Sequence, residues 1–384
     1  MLSRRGFIRI AGGGIILAAG GISLTRCDRM PAEAIEGWRQ PGRGENDVRK
    51  RILSYAILAP NPHNRQPWLV DLNTPSRIVL YCDRTRLLPH TDPFARQIVI
   101  GHGTFLELLD MAAGAEGYRA SIAYFPRGAF GARVVDDRPV AEIILRKDPN
   151  RQIDPLFKQV LKRHTNRETY DTDRPLTGGQ INSLRGLKID PAVRLNLTTG
   201  AGPLAKLRRL TTDALILEIR TPAKFGESIE VMRIGAGEIA EHRDGLSIHG
   251  PMMWWLRQLG MLSREAMRDP ASKSFEVGLD MARDQGGSAM AFAWLTTEDN
   301  ARETQLKTGR AYLRLHLKTT ELGLAQHPMS QLLQEYSEMA ELQARFLQVV
   351  GAGSGQTVQM LARLGHAAPA GPAPRRRLGD MIRA

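Results

Sequence analysis

Asn61, His63, Asn64 and Gln66 stand close together in the run Ala59-Pro60-Asn61-Pro62-His63-Asn64-Arg65-Gln66-Pro67-Trp68. Pro lacks a backbone donor and Asn caps and turns well, so the run ends a helix and forces a loop. Asn, His, Gln and backbone amides then sit side by side, a dense set of hydrogen-bonding groups on a rigid corner. A turn before a strand, with Trp68 in an ordinary core, is the plainer alternative. Further along, Arg163-His164-Thr165-Asn166-Arg167 offers a different chemistry. A doubly charged phosphate monoester wants such a set: guanidinium forks give charge-assisted bidentate bonds, and hydroxyl and imidazole serve the remaining acceptors. Arg375-Arg376-Arg377 is a third cluster, after a Pro-rich turn. A solvated basic patch accounts for either arginine cluster taken alone.

Each cluster needs elements to hold it. A short helical run, Val48 to Leu58, precedes the loop, and an extended apolar segment, Pro67 to Leu72, follows it. Arg77 to Tyr81 and Ala141 to Leu145 read as strands from their β-branched content. Between them a helix is expected from Asp92-Pro93, with Asp as cap and Pro in the first turn. Ile98, Phe105, Leu108 and Ala112 form its buried stripe and Gly117 ends it. Gly101 and Gly103 inside that helix cost about 1 kcal/mol each relative to Ala, which predicts a close-packed neighbour there.

A second cycle opens with a helical Pro155 to Lys162, then a helix over Thr177 to Leu187 and a strand over Val193 to Leu197. Two long helical stretches follow, then a strand from Met290 to Thr296. Arg302 to Leu322 reads as an amphipathic helix stopped by Gly323, with Tyr312, Leu315, Thr319 and Leu322 on one face. Thr357 to Leu361 is the last strand expected. Neither half shows the regular βαβ alternation of a doubly wound sheet, so the fold class is α+β.

Ala-Pro-x-x-x-Asn-x-Gln-Pro-Trp resembles the flavin-binding loop of the nitroreductase superfamily, and the His63-Asn64-x-Gln66-Pro67-Trp68 form resembles its Acg-type branch. Arg163-His164-Thr165-x-Arg167 is similar to the phosphate-holding segment that opens ordinary nitroreductase subunits. Arg375 to Arg377 resembles the C-terminal basic segment that closes on the same phosphate. In that superfamily FMN lies between two subunits. Here the first half carries the loop without the arginine segment, and the second half carries the arginines without the loop. The resemblance therefore implies two related halves fused into a single-chain pseudo-dimer with one FMN. Pro60, Asn61, His63, Asn64 and Gln66 would face Arg163, His164, Thr165, Arg167, Arg375 and Arg377.

Gly323 to Ser330 resembles the segment beside the flavin ring, so Pro328 and Met329 join the set, and a backbone amide there would serve N5. His327 is a candidate proton donor, although a loop His is more often simply exposed. Arg86 and Arg96, in a stretch that also resembles the Acg branch, are candidates to face the site, with surface arginine the plainer reading. The resemblance implies hydride transfer through bound flavin to an electron-poor small molecule. The alternative is a non-catalytic protein storing FMN beneath a lid. In either case the flavin carries the chemistry, so no catalytic side chain is named.

The organisation expected is a signal over 1–30, a linker over 31–47, a first half over 48–150 and a second over 151–384. Ile248 to Met267, with Trp254, Trp255 and four methionines, is expected as a lid insertion, a core or contact helix being the alternative. Ser3-Arg4-Arg5-Gly6-Phe7-Ile8 is a twin-arginine pattern ahead of a Gly-rich apolar run from Ile10 to Leu24, too short to span a bilayer comfortably. Export by twin-arginine machinery to the periplasm or a membrane-anchored state is expected. Cys27 hints at lipidation, but Arg26 is not the small residue expected before such a Cys. The net charge of +13 is spread along the chain without a nucleic-acid motif, so it reads as surface plus one anion site. His and Cys lack ligand spacing, so no metal is expected.

Overall fold

The computed structural model describes residues 28–383; the twin-arginine pattern, the apolar run and Cys27 lie outside them. Helix α1 (Val48–Ala56) starts on Asp47, whose side chain accepts from the Arg49 amide. Strands β1 (Trp68–Asp71) and β2 (Arg77–Cys82) follow, then α2 (Arg96–Ala115), β3 (Tyr118–Tyr124) and β4 (Ala141–Lys147). These four strands form an antiparallel sheet of order β1-β2-β4-β3.

The second half begins with a 3-10 helix at Pro155–Lys162, then α3 (Gly178–Arg185) and β5 (Arg194–Thr198). An excursion of α4 (Ala201–Arg220), α5 (Pro222–Glu230), β6 (Met232–Ile234), α6 (Ala236–His242), β7 (Leu246–Ile248), α7 (Pro251–Gln258), α8 (Arg264–Arg268) and α9 (Lys273–Gly287) precedes β8 (Ala291–Thr297). Then come α10 (Arg302–Glu321), β9 (Ala325–Pro328), α11 (Ala340–Val350) and β10 (Thr357–Gly365). The second sheet has the order β5-β8-β10-β9, again antiparallel.

The two sheets share one plan. Putting β5, β8, β9 and β10 for β1, β2, β3 and β4 converts one strand order into the other. In both, a helix of 20 residues connects the second strand to the third: α2 in the first, α10 in the second. The two helices pack together through their glycines. A Cβ on Gly309 would stand 2.7 Å from the Gly103 Cα, closer than real side chains come. That meets the expectation of a close neighbour at Gly103. Gly101 instead makes room for the loop, with Pro62 Cδ 3.1 Å from where its Cβ would be.

Sequence and structure differ in instructive places. The helix expected from Asp92-Pro93 begins at Arg96, because Ala95 takes a left-handed conformation (φ 54°). Asp92 still caps it, accepting from the Gln97 and Ile98 amides at 3.1 and 2.9 Å. Instead of one buried stripe, 18 of its 20 residues are buried, since it is covered by its own sheet and by α10. Arg96 is buried too, donating to the Val358 and Leu333 carbonyls, so it is not surface arginine. The expected linker, 31–47, is packed: Trp38 is buried and donates from Nε1 to the Ala373 carbonyl at 2.8 Å.

Candidate functional site

The loop after α1 is backbone-strained. His63, Asn64 and Gln66 all have left-handed φ, at 46°, 53° and 51°. Asn tolerates that region, whereas His and Gln are held there only by surrounding structure. The supports are visible. Asn61 Oδ1 accepts from the Gln66 amide at 2.7 Å, and Thr104 of α2 donates its hydroxyl to the Pro60 carbonyl at 2.6 Å. Strain maintained by this many partners is characteristic of binding corners.

The arginines of the second half reach this corner. Arg163 donates from Nη2 to the Leu58 carbonyl at 3.0 Å, and Arg375 donates to the same oxygen at 2.9 Å. Leu58 lies just beyond the C-terminal end of α1, where unpaired carbonyls carry the helix's partial negative charge. Arg375 also donates to Asn64 Oδ1 at 2.8 Å, and Asn64 Nδ2 donates to the Pro374 carbonyl at 3.0 Å. From α10, His316 meets Arg163 Nη1 at 3.3 Å. The corner and the guanidiniums are thus one assembly, each arm seated on one of the two central helices.

Together they line a cavity of about 190 Å³. Pro60, Asn61 and Asn64 form one side, and Arg163, His164, Thr165, Arg167 and Arg375 the other. No carboxylate lines it, and several donors there lack an acceptor: Arg163 Nε, Arg375 Nε and the Ser247 hydroxyl. Buried donors are ordinarily satisfied, so an unpaired set converging on one space marks a place for an acceptor-rich anion. Burial and the neighbouring Arg163 hold the Arg375 guanidinium well below its usual range, and burial brings Arg163 down to about 10. Burial, with Arg163 and Arg375 alongside, lowers His164 to about 4.

The remaining expected residues fall elsewhere. Gln66 is wholly buried and works in the wall: its Nε2 donates to the Arg243 carbonyl, and its Oε1 accepts from the Arg376 amide, both at 2.9 Å. His63 does not line the cavity, and its Nδ1 is buried without a partner. Arg377 does not join Arg375: it lies on a separate surface depression with Arg86 and Arg243, just before the turn at Leu378–Met381. Arg86 is tied to Asp244 there at 2.6 Å.

Pro328 and Met329 lie outside the cavity lining. Met329 is core, and its amide already donates to the Leu361 carbonyl at 2.8 Å, so it is not free for a ligand. His327 is buried in β9 beside Arg363 rather than exposed. Helix α7, inside the expected lid, does not line the cavity; only His249 of 248–267 does.

Several contributors were missed, Gly371 to Ala373 of the tail among them. Met30 comes from the end of the stretch expected as signal and Trp38 from the expected linker, while Gly245, Leu246 and Ser247 come from the start of β7 and the residue before it. A lone Trp in a polar segment was the available signal for Trp38. The stretch at Gly245 had none, because Gly245 is fixed by tertiary bonds, its amide donating to the Asn64 carbonyl at 3.1 Å. Asp244 clamps that wall, 2% exposed and paired with Arg65, Arg86 and Arg233.

Buried neutral histidines give the chain an acid weakness. Burial lowers His63, His102 and His164 to about 4 from an ordinary 6.5, and pushes His316 and His327 well below it. Between pH 6.5 and 4 the unfolded chain binds protons that the folded chain refuses, so stability falls as pH falls. Urea unfolding at pH 7.5 and 5.0 should show a midpoint markedly lower at pH 5.0; equal midpoints would refute it.

The chain matches known proteins over most of its length. A Mycobacterium tuberculosis protein provisionally named NAD(P)H nitroreductase is 25% identical over 343 residues, 87% of this chain and 90% of that one. The acg product of M. tuberculosis, also provisionally named NAD(P)H nitroreductase, is 24% identical and matches 88% of this chain and 95% of its own. PigM of a Serratia strain, with a similar name, is 25% identical over 75% of this chain and 82% of its own. No protein-family model matches. Among solved structures, a provisionally named nitroreductase from Anabaena variabilis aligns over 87% of this chain and 91% of its own at TM-score 0.45 and 12% identity. An FMN- and NADPH-dependent nitroreductase, NfnB, aligns over 60% of this chain and 99% of its own at TM-score 0.39 and 14% identity.

Along most of its length the chain is similar to proteins named as nitroreductases. The likeness extends to the acg product, and the His63-Asn64-x-Gln66-Pro67-Trp68 loop resembles the Acg-type form.

Proposed function

We propose that this chain is an FMN-dependent oxidoreductase of nitroreductase type, a pseudo-dimer of halves 48–150 and 151–384 holding one flavin between them. The observation that carries the reading is the carboxylate-free cavity where Asn64, Arg163 and Arg375 meet with unpaired donors. Those donors fit a phosphate monoester, the anionic end of FMN. Arg163 and Arg375 would hold it, with His164 and Thr165 beside them and Asn64 orienting Arg375. When bound, FMN supplies hydride chemistry that no side chain here provides. The protein's part is to bind, orient and exclude water, and electron-poor small molecules are the acceptors proposed.

The test is the pigment of the purified chain. One FMN per polypeptide, by absorbance after denaturation, is expected; two per chain, or none after reconstitution, overturns the reading. Turnover of nitroaromatics and quinones with chemical and enzymatic reductants then separates a working enzyme from a flavin store. The donor depends on address, because NAD(P)H is not expected outside the cytoplasm. Export by the twin-arginine route is part of the proposal: changing Arg4 and Arg5 to Lys should trap the chain in the cytoplasm. An unchanged distribution between fractions would remove it.

A further inference from the structure

Trp38 lies where none of the resemblances places a functional residue. It belongs to a strap, residues 28–38, that crosses from the excursion to the C-terminal tail. At one end the Asp28 carboxylate accepts from the Ala236 amide at 2.6 Å, and its carbonyl accepts from the Gly250 amide at 2.9 Å. At the other, the Ala34 carbonyl accepts from the Arg375 amide at 2.8 Å, and Trp38 Nε1 donates to the Ala373 carbonyl. The indole is thereby fixed in position against the cavity.

Around that indole stand the groups with the most to gain from an anion. The guanidinium carbons of Arg375 and Arg163 are 4.9 and 5.5 Å from its ring centre, and the His164 ring is 4.9 Å away. Two buried guanidiniums with no carboxylate between them repel one another. An aromatic face attracts each of them, more strongly where water is excluded. Their remaining acceptors are backbone carbonyls, the Asn64 amide oxygen and His316. Among the described residues, Trp38 is the aromatic ring that faces both.

We propose that Trp38 is a positioning residue for the anion site: its indole holds Arg163 and Arg375 together, ready for a phosphate, before the ligand arrives. The inference rests on reading the cavity as a phosphate site. The benefit is preorganisation, since the free energy of gathering two like charges is met during folding rather than drawn from binding. The indole then acts on the phosphate end of the ligand and leaves the rest alone. It should set how strongly the chain prefers FMN to riboflavin, which has the same ring and no phosphate.

The experiment compares dissociation constants for FMN and riboflavin, by flavin fluorescence, in the full chain and in Trp38→Leu and Trp38→Phe. Leu fills space without an aromatic face, whereas Phe keeps one. Wild type should prefer FMN. Trp38→Leu should weaken FMN binding on the order of tenfold, with riboflavin affinity changed by less than about threefold, and Trp38→Phe should recover most of the loss. Equal loss for both flavins, or no loss for either, overturns the proposal, as does a Phe variant no better than Leu. Trp38→Met is the second variant if Leu fails to fold, and failure of both beside a folded Phe variant also counts against a positioning role.

Inorganic phosphate gives an arm without flavin. It should protect the wild type from thermal unfolding more than it protects Trp38→Leu. If wild type binds no FMN yet phosphate protection depends on Trp38, the flavin reading fails and this one stands. If neither ligand depends on Trp38, this one fails.

Discussion

Gly309→Ala is expected to destabilise the chain by about 3 kcal/mol or more, although alanine is the better helix former. The new methyl would overlap the Ile100 carbonyl and stand 2.7 Å from the Gly103 Cα and 2.9 Å from the Thr104 amide. All three are backbone atoms, so no flexible side chain can move aside, and relief requires the two central helices to separate. That separation would spread. Leu306, Leu313 and Leu317 of α10 share one core with Ile98 and Phe105 of α2 beneath the first sheet, and Ile100 of α2 packs with Tyr312 of α10, Leu295 of β8 and Met360 of β10, so both sheets would lose cover. Gly278→Ala, in the middle of α9 with nothing within 4 Å, is the control and should stabilise by up to about 1 kcal/mol. Urea midpoints for the two variants should move in opposite directions. If Gly309→Ala stays within about 1 kcal/mol of wild type, the helix contact is softer than its geometry says.

The same helix contact explains how the Asn64 loop and the Arg163 segment are brought together. Thr104 bonds the Pro60 carbonyl from α2, and His316 meets Arg163 from α10. Each arm is therefore referred to a helix, and the helices are referred to each other at Gly103 and Gly309. A change far from the cavity would alter the distance between Asn64 and Arg163.

Much of this was legible in the chain because it rests on local rules. Pro60, Pro62 and Pro67 announced the loop, β-branched runs gave β2 and β4, and Gly323 stopped α10 where expected, with φ 67°. The complementary placement of the Asn64 loop and the Arg163 segment was readable from their order. What escaped depends on tertiary bonds. β3, Tyr118-Arg-Ala-Ser-Ile-Ala-Tyr, is poor in β-branched residues and stands because seven of its residues register against β4. The short parallel pair β6 and β7 has three residues a strand, too few for a period to appear. Gln66 looked like a ligand group and is a strut, because nothing in its neighbours announces Arg243 and Arg376. Trp38 looked like linker because its partners lie at residues 163, 164, 373 and 375.

The arginine triplet shows most sharply where spacing misleads, and it carries the largest effect expected on binding. Arg375 and Arg377 are two apart and would share a face of an extended strand. Here Arg375 is 5% exposed and turned to Leu58 and Asn64, whereas Arg377 is exposed on the other depression. Arg375→Met should therefore weaken FMN on the order of a hundredfold, the loss of a charge-assisted contact together with the Asn64 it orients. Arg377→Met should change it by less than about threefold. Thermal unfolding with and without saturating FMN reads the same contrast, because a hundredfold weaker ligand protects by about 2.7 kcal/mol less at a fixed concentration. Equal losses in the two variants would mean that both guanidiniums reach the phosphate, and the division of the tail between two faces would have to be abandoned. A loss at Arg377 alone would place the anion in the outer depression and remove the cavity at Asn64 from the account.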